Sequence, residues 1–533
     1  MKTTFRFVRS FALVLALPTL VACGDNTNVD DPDPVDEPDP VDEPDPEPEV
    51  VEPEGPLGMI YPLNPMEGLE EVVLVPPTSD DGSLSSAYVN VLNCTNQPGG
   101  TSLGFGATLC KEEKTAFPDE DGNYSHIMPP DQESGEDPFA EVQMYHHVNV
   151  VHDYFKQTHG FSDLDFPLDA IVNLTINFGG NWQSFPNALF MPPETFAQFG
   201  LPERETGAIM FGQDAIDFSY DTSVIYHEYV HAVVGTGRLQ GAFLDGFGMN
   251  NTPGALNEGI ADYFASTMLD DSRLGIYALG TQFRNLSSPR RCPENLTSQI
   301  HADGKIIGSA LWEARAQLGP DIVDDLAFGA LMSATTTTGL EQYGQLLIDE
   351  AEANLSAEDA ETFEEVMVDF GVVGCDRAKT WDTTNFIQSD GVPHAVEGSD
   401  ALGMQLPDGV PGYHGWKIDV PAGQVAEISW THRAGGGGFF GGGEVTPLGM
   451  VVRSGQPVIV NGLGGLFGDA IVEAPELVGE TQTLQIGGSC VPAGGGEVYF
   501  TFANTRQSAS NVASTTLTFR DDFDPNLAQV TCD

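Results

Sequence analysis

One eleven-residue run carries the strongest chemical signal in the chain: Val224-Ile225-Tyr226-His227-Glu228-Tyr229-Val230-His231-Ala232-Val233-Val234. On a helix, residues four apart lie on one face, so His227 and His231 can aim imidazole nitrogens at one ion. Zinc takes such nitrogens at about 2.0–2.1 Å in tetrahedral geometry. Glu228 stands beside the first ligand, where a carboxylate can reach a water next to the metal and act as general base. A lone HExxH is weak evidence, because a core helix with two hydrogen-bonded histidines reads the same way.

A second run narrows the reading. Gly254-Ala255-Leu256-Asn257-Glu258-Gly259-Ile260-Ala261-Asp262 repeats the four-residue spacing with two carboxylates, Glu258 and Asp262. A catalytic zinc uses three protein ligands and keeps one position open. Glu258 is the candidate third ligand. Asp262 is the candidate partner of a ligand imidazole, most simply His227, fixing its tautomer. A solvated acidic helix face would give the same spacing, but Ile260, Ala261 and Phe264 argue for a buried helix.

Together the two runs resemble the thermolysin-like and fungalysin-like zinc peptidases, the gluzincins, over about residues 57–375. Phe139 to Phe161 looks like the early helix of that peptidase unit. Asn187-Ala188-Leu189-Phe190 resembles the edge-strand segment that binds substrate backbone. Phe283-Arg284-Asn285-Leu286-Ser287-Ser288-Pro289 resembles the segment whose arginine grips a substrate carbonyl, which gives Arg284 that role. Ile300-His301-Ala302-Asp303-Gly304, ahead of a helix, resembles the segment whose histidine stabilises the oxyanion, which gives His301 that role. Val224 and Phe283 would line an apolar pocket for the residue after the cut. The implied activity is zinc-dependent endopeptidase cleavage of extracellular proteins before hydrophobic residues. The implied architecture is α+β, with a β-rich N-terminal lobe and a helical C-terminal lobe.

The sequence also departs from the family. Residues 235–256 contain no tyrosine to assist the oxyanion, and Tyr226 or Tyr229 is not a given replacement. The interval from His231 to Glu258 is longer than in thermolysin. Asp303 is the nearest substitute for the aspartate that pairs with the oxyanion histidine. Calcium is a second candidate ion, with Asp270 and Asp271 in a plausible region. The interval after Cys23 is too short for the family's long inhibitory propeptide. Two other classes stay open: a zinc exopeptidase, and a surface-binding or adhesion lipoprotein with a degenerate peptidase domain.

The elements around these motifs follow from pattern. Val142, Tyr145, Val148, Val151, His152 and Phe155 have helical spacing over 138–158. Residues 72–75, 88–92 and 171–176 read as strands. Residues 223–375 read as mainly helical, with one helix over 305–318 that Gly319-Pro320 stops. Residues 385–533 are rich in Gly, Val and Thr and read as a β-sandwich module. The expected order is thus signal segment 1–22, tether 23–56, peptidase unit 57–384 and β module 385–533.

The ends and the charge speak to location. Lys2, Arg6 and Arg9 precede an apolar stretch from Phe11 to Val21, the pattern of a secretory signal. Leu20-Val21-Ala22-Cys23 resembles a bacterial lipobox, implying lipidation of Cys23 and an envelope or secreted protein. Gly24 in place of aspartate favours the outer membrane. Residues 25–54 carry fourteen acidic and no basic residues. The repeated Asp-Pro-Val-Asp-Glu-Pro from Asp33 and Asp39 makes an extended, self-repelling tether. The net charge of −58 argues against nucleic-acid partners. The expected partners are protein or peptide substrates, with membrane contact only through the lipid. The other six cysteines, Cys94, Cys110, Cys292, Cys375, Cys490 and Cys532, read as disulfides in an exported chain. They allow fifteen pairings, of which neighbour pairing is the expectation. His146, His147, His152 and His159 read as packing residues. His394, His414 and His432 lack ligand spacing, and the glycine runs 435–438 and 441–443 read as a hairpin loop rather than a phosphate loop.

Overall fold

The computed structural model describes residues 55–97, 100, 102–104, 107–130, 137–198, 201, 204–246, 248–296, 300–381, 394–396, 415–434, 448–460, 466–472, 481–504 and 510–532. The signal segment, Cys23, the tether to residue 54, His414 and both glycine runs lie outside them, as does the His432 side chain. The described part is α+β, with eight α-helices and several sheets among the described residues.

The first half is strand-rich. Strands β1 (Leu57–Ile60) and β2 (Glu70–Val73) form a hairpin. There follow β3 (Val89–Thr95), β4 (Ser102–Gly104), β5 (Ala107–Leu109), β6 (Lys111–Glu113), helix α1 (Phe139–His159), β7 (Leu168–Phe178), β8 (Asn181–Ser184), β9 (Ala188–Met191), helix α2 (Pro193–Gln198) and β10 (Ala208–Gly212). One eight-stranded sheet gathers β3 to β10 around the long β7. Its two faces are both covered, which is why β7 is buried almost continuously from Leu168 to Thr175, polar Asn173 and Thr175 included, instead of on alternate residues. On one side Val142, Tyr145, Val148 and Phe155 of α1 enter the main core. On the other, Ile171 and Leu174 pack with Phe196 and the Cys94–Cys110 bridge. The buried Glu141 carboxylate ties α1 to the sheet by accepting from Asn93 Nδ2 at 2.9 Å and Thr115 N at 3.0 Å. Among the described residues strand β9 pairs only with β10 and ends the sheet.

The second half is helical: α3 (Thr222–Val234), the hairpin β11 (Phe243–Asp245) and β12 (Gly248–Asn250), α4 (Thr252–Leu269), the small ribbon β13 (Arg273–Leu274) and β14 (Arg284–Asn285), α5 (Ile300–Leu318), α6 (Pro320–Ser333), α7 (Leu340–Asn354) and α8 (Ala357–Asp369). One expectation needs correction. Helix α5 begins at Ile300, so His301 and Asp303 lie inside its first turn and not ahead of it. Packing overrides the low helix propensity of Gly304: a Cβ there would sit 2.6 Å from Ala255 O and 2.8 Å from Gly259 N of α4. Gly319-Pro320 does end α5, at Leu318. Gly319 turns the chain at φ 99°, and Pro320 opens α6, where its missing N–H costs nothing.

The C-terminal part comprises β15 (Ala378–Thr380), β16 (His394–Val396), β17 (Gly415–Val420), β18 (Val425–Ala434), β19 (Leu448–Ser454), β20 (Ile459–Val460), β21 (Leu466–Phe467), β22 (Ala470–Val472), β23 (Thr481–Ile486), β24 (Gly496–Asn504), β25 (Ser510–Arg520) and β26 (Ala528–Val530). Two five-stranded sheets, β15-β17-β24-β19-β22 and β16-β25-β18-β23-β26, share a core of Trp416, Ile418, Met450 and Phe500 from one and Ile428, Trp430 and Leu484 from the other. Strand β15 and Trp381 already belong to this module, inside the range 57–384 read as peptidase.

The junction alternates. Cys375 is bridged to Cys292, Arg377 pairs with Asp245 of β11, and Lys379 Nζ donates to Glu294 O at 2.6 Å. The residues between them face the other way: Asp376 pairs with Lys417 Nζ at 2.6 Å, and Ala378 is buried against the sandwich. A four-stranded sheet, β11-β12-β20-β21, joins the hairpin between α3 and α4 to the C-terminal module. The third bridge joins Cys490 to Cys532, so all three pairings are between neighbours, with Cα–Cα distances of 5.3, 5.7 and 4.8 Å.

Candidate metal centre

Helix α3 is held at its start by Asp221. Its Oδ1 accepts from Ser223 N at 3.2 Å, capping the helix, and its Oδ2 accepts from Tyr277 N and Ala278 N at 3.1 and 3.0 Å. One turn on, Val224 is half-buried against the main core. Helix α4 crosses α3 and α5 packs on α4, with glycines at the contact. A Cβ on Gly259 would lie 2.2 Å from Gly304 O, so only glycine lets the two backbones meet. This approach carries His301 to Glu258.

The side chains converge. His227 Nε2 lies 3.1 Å from His231 Nε2 and 3.3 Å from Glu258 Oε2, and His231 Nε2 lies 3.7 Å from the same oxygen. A tetrahedral ion with bonds of about 2.0–2.1 Å holds its ligand atoms about 3.3–3.4 Å apart. The three edges bracket that value. These residues are the one His/Cys/Asp/Glu group of metal-binding geometry among the described residues.

Both imidazoles are oriented from behind. Asp262 Oδ1 stands 2.9 Å from His227 Nδ1, and Asn257 Oδ1 stands 2.7 Å from His231 Nδ1. Each Nδ1 therefore keeps its proton, and each Nε2 faces the common point, where it offers a lone pair once unprotonated. In the metal-free chain the proton of His227 is shared among crowded atoms: the two Nε2 atoms are 3.1 Å apart, and buried Glu258 Oε2 has no hydrogen-bond donor closer than 3.3 Å. A divalent cation at the common point replaces that proton and meets all three ligand atoms at once, so the residues fit such an ion. Asn257 was not singled out in the sequence; its signal was its place directly before Glu258, on the turn that faces α3.

The charges around the cluster are unequal. For His227, burial and the Arg284 charge push the imidazole down, but Asp262 and Glu258 outweigh them and hold it up, at about 9. For Glu258, burial works upward, yet His301, His231 and His227 keep the carboxyl well below its usual range. Asp262 is likewise held low, against burial, by Arg284 and His227. Arg284 Nη2 reaches Asp262 Oδ1 at 2.7 Å. Glu228 differs: it is buried, it makes no hydrogen bond among the described residues, and burial pushes its carboxyl up. That suits a group that must take a proton near neutral pH. Burial pushes the His301 imidazole down, and its Nε2 lies 3.3 Å from Glu258 Oε2.

His227, His231, Glu258, Asp262, Arg284 and His301 are thus brought together. Among the described residues no hydrogen bond, ion pair or ring contact ties Asn187, Ala188, Val224 or Phe283 to the cluster. Phe283 is 39% exposed beside Arg284. Ala188 opens β9 opposite Phe211, and Asn187 O accepts from Gly212 N. Neither tyrosine of α3 serves the site: Tyr226 Oη lies 3.3 Å from His147 Nδ1, and Tyr229 stacks beside Phe155 in the core. Asp270 and Asp271 are each engaged by an arginine, Arg315 at 2.9 Å and Arg273 at 2.7 Å. His152 stacks on Tyr88 and bonds Asp165, a packing role like that of His147.

No family model matches the chain, and no curated protein sequence does. Among solved structures, the precursor of protealysin, a metalloproteinase from Serratia proteamaculans, aligns with 46% of this chain and 81% of that chain, at 19% identity and a TM-score of 0.34.

Proposed function

We propose that this chain is a zinc-dependent endopeptidase of thermolysin-like design, in which Glu228 is the general base. The observation that carries the proposal is the convergence of two back-bonded imidazoles and one orphaned carboxylate oxygen beside a buried, unpartnered glutamate. Two nitrogens and one carboxylate suit zinc with an open fourth position. Zinc held by His227, His231 and Glu258 supplies Lewis acidity, which polarises a peptide carbonyl and acidifies a nearby water. Glu228 accepts the proton of that water as its oxygen adds to the carbonyl carbon. It returns the proton to the amine nitrogen as the C–N bond breaks. His301, neutral because burial lowers its pKa, donates an N–H to the oxygen that gains charge. Arg284, anchored by Asp262, holds a substrate carbonyl, and the free edge of β9 takes the substrate backbone from Asn187 and Ala188. Val224 and Phe283 receive an apolar side chain after the cut. The chain acts outside the cytoplasm, exported by residues 1–22 and held through a lipid on Cys23, with the acidic tether as spacer.

The test is zinc content and cleavage of an unfolded protein substrate, with and without chelator, in the wild type and Glu228→Gln. One zinc per chain, chelator-sensitive cleavage, and a zinc-loaded but inactive variant are expected. A Glu228→Gln protein that cleaves at the wild-type rate would sink the assignment.

A further inference from the structure

The chain has 79 acidic against 21 basic residues, so a cation left without a carboxylate is unusual and informative. Two such cations stand beside the metal centre. Lys305 lies four residues after His301 on α5, hence on the same face and one turn along. It is half-buried, and its ammonium makes no ion pair or hydrogen bond among the described residues. Four residues further, Ser309 is fully buried on that face. It accepts from Arg290 N at 3.2 Å and donates to Lys305 O, which lies 2.5 Å away. The Arg290 backbone is therefore pinned beside the face that Lys305 occupies, and its guanidinium has no acidic partner among the described residues.

Arg284 lies six residues before Arg290 in the same segment, but Asp262 already neutralises it. Burial and the nearby Arg290 charge push the Lys305 ammonium down, and Arg284 adds to that; Asp262 is the one nearby anion that opposes them. Leaving two cations half-buried and close together costs free energy that no carboxylate among the described residues offsets. A carboxylate from outside supplies the missing charge.

We propose that Lys305 and Arg290 form a carboxylate-binding subsite beside the His227–His231–Glu258 cluster, and that the preferred substrates carry a carboxylate close to the scissile bond. The proposal rests on the peptidase reading for the word substrate, but the subsite itself does not. Side chains four apart on a helix are about 5–6 Å apart at Cβ, and an extended peptide advances about 3.3–3.6 Å per residue. The carboxylate therefore sits about one to two residues from the cut. It belongs either to the free C-terminus of a short peptide or to an Asp or Glu side chain of a longer one.

The experiment compares three peptides of one parent sequence: neutral with an amidated end, amidated with a glutamate scanned across the positions near the cut, and neutral with a free C-terminus. The readout is the ratio of kcat/KM for each acidic peptide to that of the neutral one, using the zinc-loaded full chain at low and high salt. A charge-assisted hydrogen bond corresponds to about 10- to 100-fold. That ratio is expected in the wild type, collapsing toward one in Lys305→Met, persisting in Lys305→Arg and shrinking in high salt. A gain confined to the free C-terminus identifies a trimming enzyme; a gain confined to glutamate identifies an endopeptidase selective for acidic sequences. Ratios near one at every position, or ratios indifferent to both Lys305→Met and Arg290→Met, overturn the proposal. Arg290→Met also covers the case in which Lys305→Met does not fold. Should no peptide be cut, the same ratios are read as dissociation constants on the zinc-loaded chain. A Lys305-dependent ratio then upholds the subsite while the peptidase reading fails, and a ratio near one removes both.

Discussion

Asp262 offers the sharpest perturbation of the metal centre, because one oxygen serves two partners. Its Oδ1 is 2.9 Å from His227 Nδ1 and 2.7 Å from Arg284 Nη2, and the side chain is 2% exposed. Asp262→Asn keeps the volume and one acceptor but removes the charge. Two effects follow, of different origin. Losing the carboxylate behind a ligand imidazole weakens metal binding about 10- to 100-fold, or about 1.4–2.7 kcal/mol. Leaving the 16%-exposed Arg284 without its partner destabilises the metal-free fold by about 3–5 kcal/mol. Adding Arg284→Met separates them. The double variant should regain most of the stability, since no uncompensated charge remains, but none of the zinc affinity. The assays are a competition titration with a zinc chelator and denaturant unfolding of the chelated protein. Two results would refute the reasoning: a zinc dissociation constant within threefold of wild type in Asp262→Asn, or full recovery of zinc affinity in the double variant. The second would mean that Arg284 repels the ion and that Asp262 orients nothing.

The remaining predictions concern protons, packing and the second imidazole. With His227 held up at about 9 in the metal-free chain, zinc must expel a proton at neutral pH, so its apparent affinity should rise about tenfold per pH unit up to about pH 9 and then flatten; a pH-independent affinity contradicts this. The same shift gives the metal-free fold a contribution fully present below the ordinary histidine pKa and lost as pH rises through about 9, which chemical unfolding at several pH values would detect. Gly259→Ala should destabilise the chain by about 1–3 kcal/mol and cut zinc affinity, because its methyl would meet Gly304 O at 2.2 Å and push α5 from α4; unchanged unfolding would show that the contact is soft. Asn257→Ala should weaken zinc binding about tenfold while leaving metal-free stability nearly unchanged, since it frees the His231 Nδ1 proton without exposing a charge. Equal zinc affinity would remove Asn257 from the site.

What could be read from sequence was what repeats at short range. The four-residue spacing of His227 and His231, and of Glu258 and Asp262, is a property of one helix each, so their shared faces were visible. The apolar period of Val142, Tyr145, Val148 and Phe155 located α1 in the same way, and the strands at 72–75, 88–92 and 171–176 have ends within one to three residues of those observed. Neighbour pairing of the cysteines held because each bridge closes within one region. What escaped was set by partners far along the chain. The sequence reads as helical only from residue 305; the place of Gly304 inside α5 depends on Gly259 and Ala255 across the contact. Gly319-Pro320 stopped α5 as read, but the start of α6 at Pro320 was not read. Asn257 is an ordinary helix residue until α3 lies opposite. The pairing of β12 with β20 joins residues more than two hundred positions apart, beyond any local pattern.

The alternating segment at residues 375–379 has a consequence for how the molecule comes apart. Its odd-numbered side chains are fastened to the helical half and its even-numbered ones to the sandwich, so neither body can melt without tearing ties to the other. The two should unfold as one cooperative unit, giving a single calorimetric transition despite two separate cores. A chain ended just before Arg377 would strip Asp245 of its counter-charge. Asp245 also accepts from Asn250 Nδ2 at 2.8 Å, and Asn250 Oδ1 in turn accepts from Thr252 N at the start of α4. The C-terminal module is thus a keystone in the approach to Glu258, and shortening the chain to its motif-bearing part would loosen the very helix that part was kept for.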